Sequence, residues 1–359
     1  MDDGGEPRHR SQNDSESVVL MKVVELRSGF GFDALAPGSR PDPKPGPRDV
    51  VVKMRAASLN YRDLQVVRGE YPGMKLPFIP LSDGAGEVVE IGRDVERVSV
   101  GDRVCPCYVQ DWLSGPPVEE VVRKRLGSTV DGVLAEYVCV PEHGVVRYPR
   151  HLAPIEAATL PIAAVTAWHA LFVQGKLAAG ETLVVQGTGG VATFALQLAK
   201  SIGAEVIVTS SSDQKLARAR ALGATHVVNY TTSDFATEVL RITGGRGAEY
   251  VIDIAGGENL SRSISAAKLG GTVAVIGYLE SQRGHVDIPL ALRRMVTLHA
   301  SSVGSRSSFE ALIAELEMRA LRPVVDRIFP LSDVRGALEY LASGVHVGKI
   351  AISFGDESD

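Results

Sequence analysis

From Val18 to about Tyr148 the apolar residues come in short or alternating runs, VVLMKVVEL, DVVVKMRAASL, GAGEVVEIG, DRVCPCYV and LAEYVCV, broken by Gly and Pro. A period of two sends successive side chains to opposite faces of a strand, and Gly and Pro punctuate the turns. This stretch therefore predicts a barrel-like β unit. Residues 37–49, PGSRPDPKPGPRD, carry five prolines and predict an exposed loop between the first strands.

From about Leu152 the rhythm changes. Short Val- and Ile-rich runs at 182–186, 205–210, 226–230, 250–254, 272–277 and 296–302 alternate with GGVATFALQLAKSIG, DQKLARARALG and ENLSRSISAAKLG. Each of those three segments shows apolar residues at helical spacing and ends at Gly, the usual helix stop. Six strands with helices between them predict a doubly wound parallel sheet of the Rossmann type, so the chain as a whole is α/β. After Ser305 two more helical patterns, FEALIAELEMRAL and DVRGALEYLASG, precede a short strand, KIAISF, and this tail is expected to pack back on the first unit. The expected organisation is a disordered tail over 1–17, a β domain over 18–150, a Rossmann domain over 151–304 and a return to the first domain over 305–359. Residues 1–17 have no apolar member after Met1 and cannot bury enough surface to order themselves.

The length of 359 residues favours two domains, since one domain takes roughly 150 residues. Acidic residues number 43 against 38 Lys and Arg, a net charge of −5 with no long basic run, which argues against nucleic acid as a partner. No apolar stretch reaches the roughly 18 residues of a membrane span, so no membrane partner is expected. The three cysteines, Cys105, Cys107 and Cys139, are too few for a disulfide scaffold and point to the cytoplasm. Cys105 and Cys107 share one face of a strand and are expected in the core rather than on a metal.

The candidate chemistry begins at Gly187-Thr188-Gly189-Gly190-Val191, which follows one expected strand and opens a helix. Gly187, Gly189 and Ala192 fit the G-x-G-x-x-G/A pattern, in which a missing Cβ lets the backbone approach a pyrophosphate at the positive end of a helix. About 20 residues further on, where an acid would hold the ribose 2′-hydroxyl of NAD, the chain reads Ser210-Ser211-Ser212-Asp213. Ser210 and Ser211 offer small donors and Lys215 a positive charge, so NADP is the expected cofactor. Asp213 is expected to cap the following helix.

The order of domains and a set of landmarks resemble the medium-chain dehydrogenase/reductase superfamily over about residues 18–354. The landmarks are SLNYRDLQVVRGEYP (58–72), PLSDGAGEVVEIG (80–92), VGDRV (100–104), DGVLAEYVCVP (131–141), LPIAAVTAWHAL (160–171), VVQGTGGVATFALQLAK (184–200), LGATHVVNY (222–230) and VGKIAI (347–352). The resemblance implies a GroES-like β-barrel catalytic domain beside the Rossmann domain, and within the superfamily it is to the zinc-independent branch of quinone oxidoreductases and enoyl reductases. Where zinc relatives place their three catalytic ligands, this chain has Asn60, Ser82 and Ile162, none of them a usual zinc ligand. The segment Tyr108–Ser128, which corresponds to the four-cysteine lobe of those relatives, contains no Cys.

The same resemblance implies roles for single residues. Asn60 would donate its amide to the substrate oxygen, and Tyr71 would be the proton donor, unless it is a loop tyrosine packed under Pro72. Thr166 would approach the nicotinamide ribose or ring, Tyr230 the adenosine end, and Ile276, Gly277 and Tyr278 the nicotinamide. Ser302 and Val303 would offer backbone groups to the carboxamide. Tyr61, Arg62 and Asp63 would line the cleft, or the charged two would pair internally. His169 would either face the nicotinamide or serve as a hydrogen-bonded helix residue. A homodimer through the edge strand 296–302 is expected. The function implied is zinc-independent, NADPH-dependent hydride transfer to a small-molecule conjugated C=C or quinone acceptor. A zinc-free alcohol dehydrogenase or carbonyl reductase, and a low-turnover NADP-binding protein with a structural or regulatory role, fit the same residues.

Overall fold

The structure is a computed structural model that describes residues 19–71 and 74–355, so the expected tail over 1–17 lies outside the described residues, as does Pro72. The first strands, β1 (Leu20–Leu26) and β2 (Leu35–Pro41), form an antiparallel ribbon with Val24 opposite Pro37 and Leu20 opposite Pro41. The start of the expected proline-rich loop is therefore strand. Prolines are tolerated there because β2 pairs on one side only, and an edge strand can do without some of its N–H groups.

The first domain is built on β3 (Asp49–Ser58), whose alternating DVVVKMRAAS buries most of its length. It leads through Leu59 and Asn60 into α1 (Tyr61–Val67), then come β4 (Asp83–Ile91), β5 (Arg103–Pro106), β6 (Tyr137–Pro141) and β7 (Val145–Arg147). A helical connector follows, with α2 (Pro154–Ala157) and α3 (Val165–Trp168), each continued by a wider turn.

The second domain alternates strand and helix: β8 (Thr182–Gln186), α4 (Gly190–Ser201), β9 (Glu205–Ser210), α5 (Asp213–Ala221), β10 (His226–Asn229), α6 (Phe235–Ile242), β11 (Ala248–Asp253), α7 (Asn259–Ala266), β12 (Ala267–Val275), α8 (Ile288–Arg294) and β13 (Thr297–Ala300), with the six strands and α4, α5 and α7 at the places the periodicities predict and α6 and α8 additional to them. The strands lie in the order β10-β9-β8-β11-β12-β13, all parallel. The order reverses between β8 and β11, and the crevice at the C-terminal ends of those strands is where a dinucleotide binds such a sheet. The expected helix over 258–270 stops at Ala266, because Ala267 already pairs with Ala248 and the strand then shifts register to set Thr272 against Tyr250.

The tail returns to the first domain in part. Helix α9 (Arg306–Met318) packs on α3 and β7. The strand β14 (Val325–Pro330), absent from the sequence expectation, and β15 (Lys349–Ser353), separated by α10 (Val334–Ser343), extend the first sheet. That sheet runs β14-β15-β3-β4-β5-β7, with β6 also on β3. Among the described residues one apolar cluster joins the domains, holding Cys105, Cys107 and Trp112 of the first together with Phe194, Leu198, Phe309 and Leu312. Cys105 and Cys107 are core residues, and burial pushes the Cys107 thiol up to about 12.

Phe309 is 1% exposed and pins α9 into this shared cluster. Phe309→Ala should lower the unfolding free energy by about 3–5 kcal/mol, read as an earlier midpoint in urea. An unchanged midpoint would mean that α9 does not join the two domains.

Candidate active site

Four separate pieces of chain converge on the inter-domain cleft: the β3–α1 junction, the start of β4, the connector before α3, and the start of β15. The backbone N–H of Asn60 donates to Asp63 Oδ2 at 2.8 Å, which closes the first turn of α1 and fixes the Asn60 side chain at the cleft. The Asn60 amide is held from two sides. Its Nδ2 donates to Asp83 Oδ2 at 2.9 Å, and its Oδ1 accepts from Lys349 Nζ at 2.7 Å. Lys349 also donates to the carbonyl of Leu59 at 2.6 Å and stands 3.6 Å from Asp83 Oδ2. Asp83 Oδ2 accepts from the backbone N–H of Ile162 at 3.3 Å as well. One amide hydrogen of Asn60 is thus committed to Asp83, and the other is left for the cleft.

Lys349 and Asp83 are fully enclosed, and burial dominates both groups. It depresses the Lys349 ammonium and pushes the Asp83 carboxyl up to about 6, with the neighbouring opposite charge resisting the shift in each case. Asp83 Oδ1 has no hydrogen-bond partner among the described residues.

Beside this group lies a second one built on Arg62, which donates to Asp63 Oδ1 at 3.1 Å and to Ser82 Oγ, while Ser82 donates to Asp63 Oδ1 at 3.3 Å. The expected internal pair of Arg62 and Asp63 is present, and Arg62 lines the cleft as well. Its guanidinium stands 4.9 Å from the ring centres of both Tyr71 and Tyr108. Burial alone would raise the Tyr71 phenol, but the Arg62 charge and a hydrogen bond with Tyr108 hold it below the usual tyrosine value. The mainly desolvated Tyr108 is pushed up to about 12.

The cleft is a cavity of about 340 Å³. Of the residues singled out in the sequence, Asn60, Tyr71, Thr166, Gly189, Gly190, Val191, Ile276, Gly277, Tyr278 and Ser302 line it. Thr166 donates to the Ser302 carbonyl at 3.3 Å, and Tyr278 reaches across to Gln65 Oε1 at 3.1 Å. Gly187 and Thr188 face a separate small space between α4, β9 and α5 instead, and Val303 is buried. His169 is the hydrogen-bonded residue of the two readings: its Nδ1 is 3.0 Å from Ser308 Oγ and its ring packs edge-on against Trp112.

The glycine loop fits a dinucleotide. Gly187 has φ +74 and a Cβ there would strike Ile254, while a Cβ on Gly190 would lie 2.5 Å from Lys349 Cδ. No side chain caps the N-terminus of α4, so its first N–H groups remain available to a pyrophosphate. At the adenosine end Ser210 is buried at the end of β9, Ser211 is exposed, and Tyr230 is exposed beyond β10. Lys215 Nζ donates to the Gly344 carbonyl. The helix cap is Ser212 rather than Asp213, because Ser212 has the extended backbone of a cap and accepts from the Lys215 N–H. Asp213, one residue inside the helix, accepts instead from Asn229 Nδ2 at 2.7 Å.

Asp83, Lys349, Tyr108, Arg125 and Gln65 complete the site and were not picked out as functional from sequence. A signal existed for two of them, an Asp and a Lys each at the start of a strand that then turns apolar. For Tyr108 and Arg125 there was none, since both sit in an irregular segment.

The upward shift at Asp83 means that the folded protein takes up a proton there that the unfolded chain does not, so this group lowers stability as pH rises through its two values. The stability of Asp83→Asn relative to the parent should improve by up to about 3 kcal/mol between about pH 4 and pH 7, measured by urea unfolding at fixed pH steps. A difference that does not vary with pH would contradict the buried, shifted carboxyl.

Comparison with known proteins agrees with this architecture. The model of the alcohol dehydrogenase GroES-like domain matches residues 46–150, and that of the zinc-binding dehydrogenase family matches residues 190–318. The chain is 41% identical to a zinc-type alcohol dehydrogenase-like protein of Schizosaccharomyces pombe, over 90% of this chain and 96% of that one. It superposes on a crystal structure of an NAD-dependent alcohol dehydrogenase with a TM-score of 0.85 at 33% identity, covering 93% of this chain and all of the other. A quinone oxidoreductase from Pseudomonas syringae pv. tomato DC3000 superposes with a TM-score of 0.79 at 25% identity, covering 93% and 99%. With this fold, this glycine loop and these relatives, the chain belongs to the medium-chain dehydrogenase/reductase superfamily and is an oxidoreductase of that nicotinamide-dependent family.

Proposed function

We propose that the protein is an NADPH-dependent reductase of a conjugated C=C or quinone acceptor that works without zinc. The observation that carries this reading is the donor set at the cleft. Asn60, Ser82 and Ile162 stand where zinc relatives place their ligands, and an amide, a hydroxyl engaged by Arg62 and Asp63, and an aliphatic chain do not fit a catalytic zinc. Among the described residues no group of three or more His, Cys, Asp or Glu could hold a metal ion. The fixed charges of Arg62 and Lys349 stand at the cleft instead.

The nicotinamide, when bound, supplies hydride. An acceptor that delocalises the resulting charge onto its own oxygen needs less help than an isolated carbonyl, and the residues here suit it. The second N–H of Asn60, a residue that lines the cleft, would donate to the oxygen that gains charge, with Lys349 bound to the amide carbonyl to polarise it. Tyr71, its phenol eased downward by Arg62, delivers the proton that completes the reduction.

NADP over NAD rests on the strand end after β9, where Ser210 and Ser211 are followed by Lys215 and the nearest acid, Asp213, is tied to Asn229. A cytoplasmic, reducing setting is supported by three unpaired cysteines, and no helix among the described residues is long and apolar enough to cross a membrane. We also propose a homodimer through β13. Leu298 on this edge strand is exposed, as are Ile288, Leu292 and Met295 on and after α8, the helix that leads into it, and exposed apolar residues at a sheet edge are suited to burial against a second copy.

Incubation with NADPH and a simple 2-enal should yield the saturated aldehyde, identified by mass spectrometry. The unsaturated alcohol would replace this reading by carbonyl reduction. Tyr71→Phe should lower kcat by about 100-fold with NADPH affinity intact. NADPH should bind more tightly than NADH by about tenfold or more, measured by fluorescence titration, and the reverse order would overturn the cofactor assignment.

A further inference from the structure

The wall of the cleft is unbalanced in charge. Its lining carries three cations, Arg62, Arg125 and Lys349, and neither Asp nor Glu. Two of them are answered from behind the wall, Arg62 by Asp63 at 3.1 Å and Lys349 by Asp83 at 3.6 Å. Arg125 is not. Its backbone is fixed, with its N–H donating to Thr129 Oγ1 at 2.9 Å and a bridge to Val109, yet among the described residues its guanidinium has neither an ion-pair nor a hydrogen-bond partner. The residue is half-buried at the cavity, and its charge acts on the phenols of both Tyr71 and Tyr108.

A guanidinium drawn partly out of water without a counter-charge is costly unless a ligand supplies one. The phosphates of a dinucleotide do not fit that place. They belong at the N-terminus of α4 and the ends of the Rossmann strands, whereas Arg125 comes from the irregular segment after β5 in the first domain. An arginine fork pairs two N–H groups with the two oxygens of a carboxylate, and the Tyr71 hydroxyl, which accepts from Tyr108, lines the same cavity with its own hydrogen to donate.

We infer that the acceptor is a conjugated carbonyl compound bearing a carboxylate, and that Arg125 is the residue that selects it. This rests on the reductase reading for the conjugated group, but not for the carboxylate. The kinetic probes are trans-4-oxo-2-pentenoate and its methyl ester, the ester being intrinsically the more electrophilic alkene. The acid should nevertheless show the higher kcat/KM, by about tenfold, as expected for a charge-assisted contact. Arg125→Leu should erase that preference by slowing the acid alone, and Arg125→Lys should retain part of it.

A second measurement needs no turnover. Protein loaded with the tighter-binding oxidised nicotinamide dinucleotide is titrated with 4-oxopentanoate or its methyl ester in a calorimeter. The carboxylate should bind about tenfold more tightly than the ester in the parent and equally in Arg125→Leu, with dinucleotide affinity the same in both proteins. Equal binding of acid and ester by the parent, or a preference that survives in Arg125→Leu, would overturn the inference. A preference in binding with no reduction of any conjugated acceptor would support the carboxylate site while removing the reductase reading.

Discussion

The interaction on which the site depends is the contact of a buried ammonium with a buried carboxyl through one amide. Lys349 comes from the last strand, Asp83 from the start of β4 and Asn60 from the β3–α1 junction, so this contact forms only when the C-terminal return has docked on the first domain. A lone buried charge would be prohibitive, and each partner here makes the other tolerable. Lys349 also bears on the cofactor loop, since its side chain passes close under Gly190 and the next residue back, Gly348, donates its N–H to the Thr188 carbonyl at 2.8 Å. One lysine thus ties the first-domain wall of the cleft to the glycine turn of the second domain.

The electrostatics of the cleft follow from that constraint. Positive charge is held at the wall by Lys349 and Arg62, each backed by a carboxylate that the solvent does not reach. Such charges are in place before substrate arrives and need no reorganisation when negative charge develops on an acceptor oxygen. In the reaction proposed, Tyr71 beside Arg62 gives the same wall a proton to deliver.

The sequence revealed what depends on local pattern and concealed what depends on a distant partner. The six parallel strands and the turn at Gly187-Thr188-Gly189 are local, because periodicity and a positive φ act within a few residues. Pro37–Pro41 form a strand only because β1 offers a partner, and Ala267 leaves α7 only because Ala248 holds it in the sheet. Asp213 was a plausible cap by composition, but Ser212 one residue earlier has the backbone of a cap. Asn60 and Tyr71 were placed at the cleft from a resemblance, whereas the Lys349 and Asp83 that hold Asn60 meet across most of the chain, and a charged residue at the start of an apolar strand does not by itself show its distant partner. Arg125 was hidden for the same reason, since only the folded cleft shows that it faces no carboxylate.

The central claim is that fixed protein charge takes the place of a metal cation in this cleft. Its most direct test is the metal content of turnover-competent protein, measured by inductively coupled plasma mass spectrometry on the sample whose activity has just been recorded. Full activity with well under about 0.1 zinc per chain is the predicted result, because the residues at the cleft supply no ligand set. One zinc per chain, lost together with activity on chelation and restored with it, would contradict the claim.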